Sequence, residues 1–198
     1  MKKNKKNLRY LLVLLLLISV GYAAIATTLK INGTATVKSS KWDVYWDPTS
    51  VAITDGSVTT TDENKAKVTN NTTKDEVAFN VNLEEPGDFY EFTVDAVNNG
   101  TIDAEIAENG ITKKVCTDAD CENEITIPGY LSYTVVYDDN NNPTITSGQV
   151  LGKKVNDTPT TKTYKVRVEY RTDITKDVLN TSTNQTLYFK FNVNYIQG

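Results

Sequence analysis

The sequence predicts an all-β protein, an antiparallel β-sandwich of jelly-roll-like form behind an N-terminal signal helix. Three observations carry that expectation. Apolar residues alternate with polar ones at period two in at least five separate segments, Pro-Gly and Asn-rich clusters punctuate the runs, and no long helical period follows the leader.

The leader comes first. Lys2, Lys3, Lys5, Lys6 and Arg9 form a positive region ahead of an apolar core, Leu11 to Val20, of about ten residues, which is short for a membrane span. Ala24-Ile25-Ala26 has the small-x-small form that a signal peptidase accepts, so residues 1–26 read as a signal peptide cut before Thr27. An uncleaved anchor is the other reading, because the stretch from Leu8 through Ile25 reaches about 18 residues. The five basic residues leave with the leader, so 16 Lys plus Arg then face 25 Asp plus Glu and the remainder carries a net charge of −9. Nucleic acid and anionic membrane surfaces are poor partners for such a chain, and the membrane is met only through the leader.

Residues 27–38 read as a strand. Leu29, Ile31, Gly33, Ala35 and Val37 share one face, while Lys30, Asn32, Thr34 and Thr36 share the other. Burying Leu29, Ile31 and Val37 contributes on the order of 5 to 8 kcal/mol before ordering costs, in whichever sheet accepts them. Paired within its own chain this is a first strand; added to a neighbour's sheet edge it is a donor strand that links subunits head to tail.

Residues 39–198 form the single sandwich domain. In Trp42-Asp43-Val44-Tyr45-Trp46 the two tryptophans and Val44 share a face, which is either core or a platform on which Trp42 and Trp46 stack against a glycan. Val77, Phe79, Val81 and Leu83 alternate next, then Tyr90, Phe92, Val94 and Ala96, with Pro86-Gly87-Asp88 as the turn between them. Asn98-Asn99-Gly100 and Pro128-Gly129 mark two further reversals. Leu131, Tyr133, Val135 and Tyr137 make another strand, closed by Asp138-Asp139-Asn140-Asn141-Asn142-Pro143. Tyr164, Val166, Val168 and Tyr170 follow, and Leu187, Phe189, Phe191, Val193 and Tyr195 end the series. Asp173 to Leu179 is the one helical candidate, with Asp173 as cap. Neither an apolar tail nor a wall-sorting motif follows, so the last strand is expected to end the protein.

The two cysteines, Cys116 and Cys121, flank Thr-Asp-Ala-Asp and suggest a local disulfide across a turn in an exported chain. Asp118, Asp120 and Glu122 alternate within and beside that loop and are a weak candidate for Ca²⁺, which wants several oxygen ligands; the loop lacks EF-hand spacing and reads first as an exposed acidic turn. No other metal or cofactor is expected. The chain contains no His, which removes the Ser-His-Asp triad, the Cys-His pair and the HExxH zinc motif together, and no phosphate-cradling Gly-rich segment occurs. Glu84, Glu85, Asp88 and Glu91 lie close in sequence as a carboxylate-only hydrolase would need, but clusters of this kind are usually solvated turns. The chain is therefore read as a non-enzyme. Asn-x-Ser/Thr triplets, such as Asn32-Gly33-Thr34 and Asn184-Gln185-Thr186, are expected from an Asn- and Thr-rich composition.

Three features resemble the TasA/camelysin-like exported proteins of Gram-positive bacteria. They are the leader Val20-Gly21-Tyr22-Ala23 running into a first strand, the segment from Asn82-Leu83-Glu84-Glu85-Pro86-Gly87-Asp88 to Asn98-Asn99-Gly100-Thr101-Ile102-Asp103-Ala104, and the aromatic terminal strand. The resemblance implies a jelly-roll subunit, processing by a SipW-type signal peptidase, and assembly into extracellular biofilm-matrix fibres through an N-terminal donor strand. The metalloprotease activity described for camelysin-like members is not implied here, since the chain has no His. Neither the Cys116–Cys121 loop nor the Trp42/Trp46 pair maps onto the family pattern. The expected function is a secreted or cell-surface structural protein that partners itself, with a monomeric adhesin or carbohydrate-binding module as the alternative.

Overall fold

The computed structural model describes residues 10–14, 39–58, 60–61, 63–173 and 186–198. The strand-donation residues Leu29, Ile31, Gly33, Ala35 and Val37, the cleavage site and helical positions 174–179 lie outside the described residues. The chain divides into two units, Met1–Lys38 and Ser39–Gly198. Of the first, residues 10–14 are described, as a helical turn. Among the described residues no helix is long and apolar enough to cross a membrane.

The second unit is the expected antiparallel β-sandwich. Its strands are β1 (Val44–Trp46), β2 (Ala52–Gly56), β3 (Lys67–Thr69), β4 (Glu76–Asn80), β5 (Phe89–Asn98), β6 (Ala104–Cys116), β7 (Glu124–Ile125), β8 (Leu131–Tyr137), β9 (Val150–Leu151), β10 (Thr160–Tyr170) and β11 (Tyr188–Gln197). One sheet runs β1-β5-β10-β8, with β2 also paired to β5; the other runs β3-β4-β11-β6-β7, with β9 also paired to β6. Long central strands β5 and β10 hold ten register pairs, from Thr160↔Asn98 to Glu169↔Phe89.

Alternation decides which side chains fill the space between the sheets. Tyr90, Phe92, Val94 and Ala96 of β5 and Tyr164, Val166 and Val168 of β10 are all buried, and Val77, Phe79, Phe189 and Phe191 meet them from the other sheet. Phe79 stacks on Phe189 with ring centroids 5.1 Å apart and meets the edge of Phe92 at 5.0 Å, so one aromatic cluster ties both sheets. Burial of each such side chain contributes about 1.5–3 kcal/mol before entropy costs. The buried phenols are satisfied as well, since the Tyr90 hydroxyl accepts the Ala66 N–H and the Tyr133 hydroxyl donates to the Lys190 carbonyl.

Strand β6, thirteen residues long, is the longest element that the sequence pattern did not reveal. Its period-two phase breaks at a bulge, because Val193 pairs with Ile111 whereas Tyr195 pairs with Ile106. Asn109 takes a φ of 55° there, and a Cβ on Gly110 would lie 2.7 Å from the Ala107 carbonyl oxygen. Only glycine passes this point without moving the backbone.

Candidate functional site: a groove beside an open strand edge

The segment Asn98 to Ala104 closes β5 and organises everything around it. Asn98 is fully buried, and its side-chain amide donates to the carbonyls of Ile102 (2.9 Å) and Leu151 (3.1 Å) while its oxygen accepts the Gly100 N–H (2.9 Å). Gly100 lies so close to the incoming chain that a Cβ would sit 2.5 Å from the Lys41 carbonyl oxygen. That contact is a small pairing: the Thr101 N–H donates to the Lys41 carbonyl, the Asn99 N–H to the Asp43 carbonyl, and the Lys41 N–H to the Thr101 hydroxyl. Asp43 also accepts from Lys41 Nζ (2.6 Å) and Asn99 Nδ2 (2.9 Å), and the Lys41 hydrogen bond holds its carboxyl below the usual range. The Asn-Asn-Gly-Thr motif thus fixes the chain at the point where the sandwich unit begins.

From that anchor the chain runs into β1, which pairs with the end of β5 through Val44↔Asn98 and Trp46↔Ala96. Beyond β1 the Trp46 N–H donates to the Lys74 carbonyl and its indole N–H to the Asp75 carbonyl, so residues 74–75 close the side of the sandwich just before β4. Above this closure a groove of about 200 Å³ remains, with Trp42, Val44, Trp46 and Ala96 on one side and Asn192 to Tyr195 of β11 on the other. β4 pairs with β11 only from Tyr188 to Phe191, yet β11 continues to Gln197, paired there with β6. Among the described residues nothing pairs with the other edge of β11 past Phe191. The Asn192 Oδ1 atom is buried and has no hydrogen-bond partner. Tyr195, which lines the groove, meets the Tyr164 hydroxyl through its own at 2.5 Å, and burial raises the pKa of both.

The expected glycan platform does not form as a pair. Trp46 is 3% exposed and packs edge-on against Tyr164 (5.0 Å) and Phe191 (5.2 Å), because its side of β1 faces the core. Trp42, 39% exposed, is left alone on the groove rim.

Cys116 and Cys121 form the expected disulfide, which fits an oxidising setting. The loop it closes has a second clasp, for the Asp118 carboxylate accepts the N–H groups of Glu122 (2.9 Å) and Asn123 (2.8 Å). Those bonds, Glu122 first, lower the Asp118 pKa. The weak calcium candidate gains no geometry from this, since among the described residues no three acidic or cysteine side chains gather closely enough to hold a metal. Replacing both cysteines by serine is expected to lower the unfolding free energy by about 2 kcal/mol, the chain-entropy value for so small a ring. Urea denaturation of the double variant checks it.

The acidic cluster at Glu84 to Glu91 is a turn and an ion pair. Asp88 accepts the N–H groups of Glu84 and Glu85 (2.9 Å each) and the Ser57 hydroxyl, and Gly87 supplies a φ of 102°. These bonds, Glu85 first, lower the Asp88 pKa, which is the reverse of what a proton-donating acid needs. Glu91 faces Arg167 at 3.5 Å.

The shifted groups set the pH response. Asp43, Asp88 and Asp118 have folded pKa values below the unfolded aspartate value of about 3.9, so the stability they contribute is present above it and is lost as pH falls through the lower folded values. Burial raises Tyr133, Tyr164 and Tyr195, whose phenols stay protonated in the fold while the unfolded chain ionises near pH 10. Stability therefore falls as pH rises past about 10. With no His to titrate between, the urea midpoint is expected to stay level from about pH 5 to 9 and to drop below pH 4 and above pH 10. A midpoint already sloping between pH 5 and 9 would contradict this assignment.

No protein family, curated protein or solved structure matches this chain.

The groove escaped sequence reading because its walls lie far apart in the chain, at Trp42–Trp46 and Asn192–Tyr195. The signal that points to it is the length mismatch between a five-residue β4 and a ten-residue β11, visible only once their register is known.

Proposed function

We propose that this chain is an exported structural protein of the cell surface or extracellular matrix, which associates with itself by donating its N-terminal strand. The observation that carries this reading is the order of segments in the sequence, a leader followed by an amphipathic strand. Leu29, Ile31, Gly33, Ala35 and Val37 share an apolar face directly after the predicted cleavage point, ahead of the strands of the sandwich. A segment able to bury three large apolar residues thus precedes a sandwich built of paired strands, and strand addition at a sheet edge is a known mode of association. Heterologous pairing of this kind does not close on itself and makes a filament. The leader and the disulfide support an extracellular setting, and the resemblance to the TasA/camelysin-like proteins adds the expectation of a matrix fibre.

Size-exclusion chromatography with negative-stain microscopy on residues 27–198 and 39–198 tests the reading. Filaments from the longer chain alone support it. If the longer chain stays monomeric and the shorter one unfolds, the strand belongs to its own sheet, and a monomeric carbohydrate-binding module resting on Trp42 becomes the better account.

A further inference from the structure

We propose that the outer edge of β8 is a pairing surface for the β8 of a second copy of this chain, and that Lys113 holds it shut. Register fixes which backbone groups lie on that edge. The Asp138 N–H donates to the Thr163 carbonyl and the Arg171 N–H to the Tyr130 carbonyl. Even-numbered residues therefore turn their backbone groups toward β10, and Leu131, Tyr133, Val135 and Tyr137 turn theirs away. Both ends of the outward row are clasped locally, the Leu131 N–H by the Pro128 carbonyl and the Tyr137 N–H by the Pro143 carbonyl, each at 2.9 Å. At the centre Lys113 reaches over from β6 in the other sheet, and its Nζ donates to the Tyr133 carbonyl at 2.8 Å. The Tyr133 N–H and both backbone groups of Val135 have no partner among the described residues.

Composition points to the occupant. Residues 131–137, Leu-Ser-Tyr-Thr-Val-Val-Tyr, hold no charge, no Gly and no Pro, which is the make-up of a strand that pairs readily with its own kind. Leu131, Tyr133 and Tyr137 are buried on one face, with Ser132, Thr134 and Val136 on the other. An antiparallel copy across the edge sets each face beside its like. The carboxylates that follow are matched within the chain, Asp138 by Lys165 (3.2 Å) and Asp139 by Lys162 (3.9 Å), so this flank carries no net charge.

Other edges blunt themselves. Between its contacts with β9 and β7, β6 carries Glu108, Lys113, Lys114 and a bulge; β2 shifts register between Ile53 and Asp55; β3 has three residues, one of them Lys67. Charges and bulges of this kind keep sheet edges apart. β8 has neither along its length, and the Lys113 ammonium supplies the missing charge from outside. A second copy needs the carbonyl that Lys113 occupies, and two-fold pairing brings two such ammoniums to one seam. The inference stands apart from strand donation, since none of its residues precedes Glu108.

Residue-resolved amide hydrogen exchange on the full chain, at low and high protein concentration, tests it. In the native chain the Tyr133 and Val135 amides are expected to exchange freely at both. In Lys113→Met they are expected to slow by about tenfold or more at the higher concentration, as two copies pair. Lys113 is exposed, and the Phe92 and Val166 amides between β5 and β10 report that the variant is folded. Lys114→Met, which loses only its ion pair with Glu124, is expected to behave as the native chain. Adding Thr134→Lys to Lys113→Met is expected to restore free exchange, because like charges then share the seam. Tyr133 and Val135 amides already protected in the native chain overturn the free edge. Amides in Lys113→Met that ignore concentration overturn Lys113 as its guard, and protection that survives Thr134→Lys overturns a second β8 as the partner.

Discussion

Replacing Asn98 by leucine is expected to lower the unfolding free energy by about 3–5 kcal/mol, the larger of two effects that separate this fold's polar hub from its surface. The side chain is fully buried and makes three hydrogen bonds, to the Ile102 and Leu151 carbonyls and from the Gly100 N–H. Leucine has a similar shape and satisfies none of them. Each buried backbone group left without a partner costs about 1–3 kcal/mol, and partial opening to water trims the sum. Because the same loop binds Lys41 and Asp43, the loss is expected to reach the start of β1 as well. Urea denaturation followed by tryptophan fluorescence measures the first effect, and amide exchange at Asp43 and Thr101 measures the second. A change below 1 kcal/mol would mean that the hub adds little beyond the β1 ladder.

Trp46→Ala is expected to cost about 4 kcal/mol, within the range for removing a buried Trp. Two edge-on ring contacts, to Tyr164 and Phe191, and the indole bond to the Asp75 carbonyl go together. Trp42→Ala is the comparison that gives the number meaning. That side chain is 39% exposed, and its removal is expected to cost under about 1 kcal/mol. Equal costs would overturn the division of the pair into one core residue and one rim residue. A polysaccharide pull-down lost in Trp42→Ala while stability holds would revive the glycan-binding alternative on Trp42 alone.

Much of the sandwich is legible before any coordinates. The alternation at Val77 to Leu83, Tyr90 to Ala96, Leu131 to Tyr137, Tyr164 to Tyr170 and Leu187 to Tyr195 puts inward the residues that the fold buries, apart from Leu83, Val135, Tyr170 and Tyr195, which are half-buried. Period two works here because each strand has one wet face, so burial and sequence carry the same signal. β6 fails that test through its bulge, which shifts the phase between Ile106 and Ile111. The short strands β2, β3, β7 and β9 fail because two to five residues carry too little pattern.

The candidate site divides the same way. From sequence come the Cys116–Cys121 bridge, since five residues of separation across an acidic turn bring the sulfurs together locally, and the Asn98-Asn99-Gly100 reversal. Sequence alone could not say which of Trp42 and Trp46 is exposed, because both fall on one face of a strand; the lead-in to β4 decides it by closing over Trp46 and leaving Trp42 at the rim. Local residue order thus determined strands, turns and the disulfide, all of which depend on neighbours within a few positions. Only the tertiary structure decided where β4 stops against β11, and with it the groove, because pairing between residues more than a hundred positions apart leaves no periodic trace in the chain.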